Sequence, residues 1–170
     1  MQRCKWSEES EMLQKYHDDE WGQKAEGSNK LFECLTLELF QSGLSWRTIL
    51  HKRDNFRMAF ANFHVDIVKD FNEGDIERLV ADEGIVRHRK KIEATIKNAN
   101  IVHEIIQTHG SFDAFLDQLP NEKPEKQKVL QKTFKHVGLT TAESFLEATG
   151  RIDPSHSENC FLHIKPQLSR

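Results

Sequence analysis

A chain of 170 residues, 37% hydrophobic and 30% charged, is long enough to close one core and short for two ordinary domains. No apolar run approaches the ~18 residues of a membrane span, and the opening Met1-Gln2-Arg3-Cys4-Lys5-Trp6 lacks the apolar stretch of a secretory signal, so one cytoplasmic domain over residues 1–170 is expected, without membrane association. The net charge of −3 does not exclude nucleic acid, because phosphate binding follows local Lys and Arg clusters and not the total.

Period-2 alternation is absent and 3.6-residue periodicity recurs, which predicts an all-α fold. The first 46 residues hold all three tryptophans and the only tyrosine, together with Cys4, His17 and Glu38. Flat π-faces in Trp6, Tyr16, Trp21 and Trp46 beside one carboxylate suit a purine-like ring, with Glu38 accepting from an exocyclic amine and favouring a cationic base. Trp6 and Trp21 serve equally well as core residues or as pocket walls.

Further along, Asn29 is expected to cap a helix with Leu31, Phe32, Leu35 and Leu39 inward, ending near Ser42-Gly43. Ser45 caps the next, through Trp46, Ile49, Leu50, Phe56 and Phe60. Asp66 and Asp75 are expected to cap two short segments, 67–71 and 76–82, with Gly84 as a stop. A long helix from about Arg87 to His109 carries Ile92, Ile96, Ala99, Val102, Ile105 and Ile106 on one stripe and closes at Gly110. Its first turn bears the basic block Arg87-His88-Arg89-Lys90-Lys91, which opposes the helix dipole unless an anion sits there.

Ser111 caps a helix over 112–119 that Pro120 ends, and residues 121–131 carry the least pattern. Thr140-Thr141-Ala142-Glu143 reads as a capping box for a helix that stops at Gly150, leaving Lys135-His136-Val137-Gly138-Leu139 as a hairpin between helices. No heptad seam suggests a dimer, so a monomer is expected.

Three cysteines, Cys4, Cys34 and Cys160, are an odd number and make a disulfide framework a poor reading. Cys4 with His17, and His156 with Cys160, supply two thiolates and two imidazoles, the donor set of a closed structural zinc site without a bound water. Asp153, within Asp153-Pro154-Ser155, reads as an ordinary turn.

The compound signature Tyr16-His17-Asp18-Asp19-Glu20-Trp21-Gly22, then Glu38-Leu39-Phe40-Gln41-Ser42-Gly43-Leu44-Ser45-Trp46, with Cys4-Lys5-Trp6 before and Arg87-His88-Arg89-Lys90-Lys91-Ile92 after, resembles the bacterial 3-methyladenine DNA glycosylase I family over nearly the whole chain. The resemblance implies a helix-hairpin-helix DNA glycosylase fold and a structural Zn2+ on Cys4, His17, His156 and Cys160 joining the two ends. It implies that Glu38, as the catalytic carboxylate, forms the base pocket with Tyr16 and Trp46, Trp46 stacking on the base.

Gly43-Leu44 would fill the gap of a flipped base, with Arg87, Arg89, Lys90 and Gly138 meeting the DNA backbone. The implied partner is double-stranded DNA with alkylated bases, and the implied product is free 3-methyladenine. No lysine among the pocket residues offers a Schiff base, so a monofunctional hydrolase leaving an abasic site is expected.

Leu13, Leu39 and Phe40 depart from the family pattern and are expected to reshape the pocket, and Gly138 is alone where related hairpins carry two glycines. The alternatives are a non-catalytic binder of damaged or modified bases and a zinc-stabilised helical protein with a protein partner.

Overall fold

The computed structural model describes residues 1–163, and no strand occurs among them. A 3-10 turn, Lys5–Glu9, leads into α1 (Glu11–Asp19), capped by Ser10, whose hydroxyl accepts from the Leu13 amide at 3.2 Å. Next come α2 (Ser28–Gln41) and α3 (Trp46–Ala59). The short α4 (Val65–Val68) and α5 (Glu73–Val80) lead to the 21-residue α6 (Arg89–His109). The chain ends in α7 (Phe112–Asp117), α8 (Lys123–Thr133) and α9 (Leu139–Ala148).

The central helix is α2, which buries every residue from Leu31 to Phe40 except the partly buried Cys34 and packs against α3, α6, α7 and α9. A helix apolar on nearly all sides must be covered on all sides. Leu39 and Phe40 lie in this core, Phe40 against Phe56 at 4.9 Å between ring centres. Ala61, Asn62 and Phe63 all take positive φ, an unusual left-handed turn that reverses the chain after α3. Phe63 compensates by burying its ring between Phe60 and Phe32.

Several caps differ from those expected, some because a tertiary partner competes and one because a neighbouring residue caps better. Asn29 lies inside α2, whose N-cap is Gly27, and its Oδ1 accepts from the Val65 amide at 3.1 Å, capping α4. Asp66 lies in the first turn of α4 and does not cap it. Asn72 caps α5, with Asp75 as the reciprocal third residue of a capping box. Thr140 does not cap α9, because Glu143 is held by Lys123 at 2.7 Å and the helix begins after Gly138. The sparsely patterned stretch 121–131 contains α8, with Pro124 in its first turn and Leu130 as its buried residue.

Between α8 and α9 the chain turns over residues 134–138, with Val137 buried and His136 in the left-handed region at φ 59°. Asn98 of α6, 1% exposed, pins this turn with both ends of its amide: Nδ2 donates to the Lys135 carbonyl at 3.1 Å, and Oδ1 accepts from the Lys135 amide at 2.7 Å.

Candidate functional site

Helices α1, α2, α3 and α9 meet around a cavity of about 360 Å³. From α1 come Leu13 and Tyr16, from α2 Glu38 and Gln41, from α3 Trp46 and Arg47, and from α9 Ser144 and Glu147. Trp6 and Trp21, flanking α1, complete the wall together with Glu9 and Ser45. Tyr16 and Trp46 stand 5.3 Å apart between ring centres at 45°, and Trp6 meets Trp21 edge to face at 5.3 Å and 82°. The two tryptophans whose place between core and pocket the sequence left open therefore line the cavity.

Glu38 is 7% exposed, and among the described residues no donor bonds its carboxylate. Burial, with a smaller push from Glu147, raises its carboxyl to about 8. Burial first, and Glu38 second, hold the Tyr16 phenol well above its ordinary value. The buried indole N–H of Trp46 has no partner among the described residues. A buried acid without a donor among aromatic rings suits a polar, flat ligand with cationic character.

The turn from α2 to α3 lies at the lip of this cavity. Gly43 takes φ 81° with open space where a Cβ would stand, and Leu44 is 37% exposed, large and apolar. The flanking Gln41 and Ser45 both line the cavity. Ser45 caps α3, accepting from the Thr48 amide at 3.2 Å, as its position in sequence predicts.

The basic block at the start of α6 divides. Arg87 and Lys90 are exposed without an acidic partner among the described residues, whereas Arg89 is held by Glu73, Glu77 and Glu93. Arg89, expected to meet the DNA backbone, is thus ion-paired to three acids in the absence of DNA, while its side chain stays 41% exposed. His88 caps α6, its Nδ1 accepting from the Lys91 amide at 3.2 Å, and Lys91 turns inward. Gly138 is exposed at the start of α9, with no atom crowding the place a side chain would take and with φ −86°, a conformation open to any residue, so its bare backbone favours approach from outside.

Away from the cavity mouth, Cys4, His17, His156 and Cys160 converge, their ligand atoms within 4.8 Å of one another. His156 Nδ1 lies 3.5 Å from both sulfurs, and His17 Nε2 lies 3.5 Å from Cys160 Sγ. Tetrahedral zinc bound to sulfur at about 2.3 Å and nitrogen at about 2.0 Å sets ligand atoms roughly 3.3–3.8 Å apart, so this donor set fits it. Amides of Ser157 and Leu162 donate to the Cys4 and Cys160 sulfurs at 3.3 and 3.4 Å. Asp18 bonds His17 Nδ1 at 2.8 Å and is itself gripped by Arg3, leaving Nε2 directed at the cluster. Cys34 stays out of this group, and burial pushes its thiol up to about 12.

Glu147, Ser144, Gln41 and Arg47 were not among the residues expected at the site. Their polar types are indistinguishable in sequence from a solvated face, and three of the four lie on the first or last turn of a helix or close to it. Asp153 is exposed and does not line the cavity, whereas Leu13, 2% exposed, does.

An aromatic cage around a buried acid, set among packed helices with cations outside, defines a helical protein that binds a flat, cationic ring. The Methyladenine glycosylase family model matches residues 6–131, and the chain belongs to that family. It is 38% identical over 180 aligned positions to DNA-3-methyladenine glycosylase 1 of Escherichia coli, covering 94% of this chain and 96% of that protein. The corresponding Haemophilus influenzae enzyme is 34% identical, with 93% and 96% covered. A crystal structure of 3-methyladenine DNA glycosylase I superposes with a TM-score of 0.86 at 38% identity, over 96% of this chain and 100% of that one. The Staphylococcus aureus enzyme, described for its recognition of 3-methyladenine, gives a TM-score of 0.82 at 34% identity over 93% and 94% of the two chains.

Proposed function

We infer that this protein is a DNA-3-methyladenine glycosylase of base-excision repair, hydrolysing the N-glycosidic bond that joins 3-methyladenine to DNA. The observation that carries the reading is Glu38, buried without a donor against the Tyr16 and Trp46 rings in a cavity open to the surface. Adenine methylated at N3 in DNA is a cation with a weakened glycosidic bond, so recognition matters more than bond activation. A flipped methylated base slides against Trp46, which supplies stacking and cation–π attraction, and Glu38 releases its proton to solvent and faces the positive ring and its amine as a carboxylate.

In the step itself the C1′–N bond breaks with its electron pair returning to the base, which thereby loses its positive charge. Water adds at C1′ and releases a proton, leaving an abasic sugar and free 3-methyladenine. A monofunctional reaction without a Schiff base is the reading: no lysine lines this cavity, and Lys24 and Lys30, which line the adjoining hollow that shares Tyr16, Glu38 and Trp46, are paired with Asp117 and Glu33.

Leu44, exposed on a glycine turn at the cavity lip, would enter the stack where the base has left. Arg87, Lys90 and the amides beside Gly138 would hold phosphates of the duplex, with the α8–α9 pair as the helix-hairpin-helix element. The Cys4, His17, His156 and Cys160 group would hold one zinc ion, whose contribution is structural: four protein donors close its shell and fix residues near both ends of one domain, acting as a monomer.

The deciding measurement is release of free 3-methyladenine from methylated duplex DNA, followed by chromatography. Release is the expected result. Binding to an abasic duplex with no release of any base would leave a damaged-base binder in its place.

A further inference from the structure

Lys91 is a basic residue that the phosphate-facing surface does not use. Its side chain runs inward from the first turn of α6, and the residue is 9% exposed. Nζ donates to the carbonyls of Phe40 at 3.3 Å and Ser42 at 3.1 Å. Those carbonyls belong to the last turn and C-cap of α2, the helix that carries Glu38 into the cavity. No carboxylate pairs with this amine among the described residues, and burial lowers its pKa.

An ammonium taken out of water without a counterion is costly, and a fold gains nothing by keeping one unless the group meets a need there. The need is visible at the end of α2. A helix ends in orphan carbonyls that carry about half a negative charge, usually offset by a cation in the last turn. The last turn of α2 contains no basic residue. The turn beyond it satisfies itself only in part: the Leu44 amide donates to the Gln41 carbonyl at 2.8 Å, and Gln41 Nε2 donates to the Leu44 carbonyl at 2.8 Å. The Phe40 and Ser42 carbonyls are left to Lys91.

We infer that Lys91 is a positioning residue for the Gly43-Leu44 turn: from beneath, its amine fixes the end of α2 and cancels the negative charge that the helix would otherwise present to DNA phosphates where Leu44 must insert. This rests on the base-excision reading. Lys91 touches neither the cavity nor the reacting bond, so its effect reaches the chemistry only through the turn. Because the same residue also donates its backbone amide to His88, the helix start bearing Arg87 and Lys90 and the lip of the cavity are joined through one residue.

The test is the Lys91→Met variant, which keeps the chain length and removes the donors. Excision from methylated duplex is expected to fall about tenfold, the effect of losing a charge-assisted hydrogen bond. Affinity for free 3-methyladenine, followed by tryptophan quenching, is expected to stay at the parent value, because a loose base needs no inserted side chain. Combining Lys91→Met with Leu44→Ala is expected to cost no more than Leu44→Ala alone.

Unchanged duplex excision, an equal loss of free-base affinity, or additive costs in the double variant would each overturn the inference. Should Lys91→Met not fold, Lys91→Arg retains donors: duplex excision near the parent rate supports the role, and lost excision with intact free-base affinity contradicts it. If the parent itself releases no base, the excision reading fails separately, and the same comparisons on affinity for a duplex carrying an abasic-site analogue decide the role of Lys91.

Discussion

The acid at the centre of the cavity keeps its proton to about pH 8, because burial and Glu147 both disfavour its charge. Its folded value stands above the ordinary 4.5, so the folded protein holds a proton that the unfolded chain gives up. The stability this contributes is complete below about pH 4.5 and is lost as pH rises through about 8. Glu38→Gln cannot ionise, so it is expected to melt together with the parent near about pH 4 and above it near about pH 9, the gap growing as steeply as ~1.4 kcal/mol per pH unit between. Thermal melts across that range check this. A cationic base reverses the preference, so parent affinity for alkylated duplex is expected to rise with pH until about 8, while the Gln variant stays flat.

Helices show how far sequence carries and where it stops. Two local devices are legible, Ser45 capping α3 and the apolar stripe of α6 closing at Gly110, because both ends of each interaction lie a few residues apart. Asn29 misleads because its partner, the Val65 amide, lies 36 residues away. The helix α8 escapes notice because Leu130 is its one fully buried residue, too narrow a stripe to set a period. At the site, residue chemistry singles out Glu38, Tyr16, Trp46 and the four Cys and His ligands that the fold brings together, whereas Glu147 becomes a neighbour only through the packing of α9 on α2. The α8–α9 turn depends on such a distant contact. Asn98→Ala removes both bonds to Lys135, and urea unfolding is expected to register a loss of about 2–3 kcal/mol together with weaker duplex binding.

Across the molecule, the Cys and His cluster brings residue 4 beside residue 160, so an ion held there would constrain nearly the entire chain. Elemental analysis is expected to find one zinc per chain. Its removal by a chelator should lower the melting temperature substantially, since closing a loop longer than 100 residues limits the unfolded ensemble by about 4–5 kcal/mol. Cys160→Ser is expected to do the same. His17 and His156 also touch Trp21, at 6.2 and 4.7 Å between ring centres, so stripping the ion should slacken the cage wall and weaken base affinity as well. That placement has an optical consequence. All three tryptophans of the chain line the one cavity, so the indole emission comes wholly from that chamber, with no background from the rest of the fold. The native polypeptide is thus its own fluorophore-labelled sensor, in which base docking, ion loss and the ionisation of Glu38 can each be followed by colour and intensity without attaching a dye.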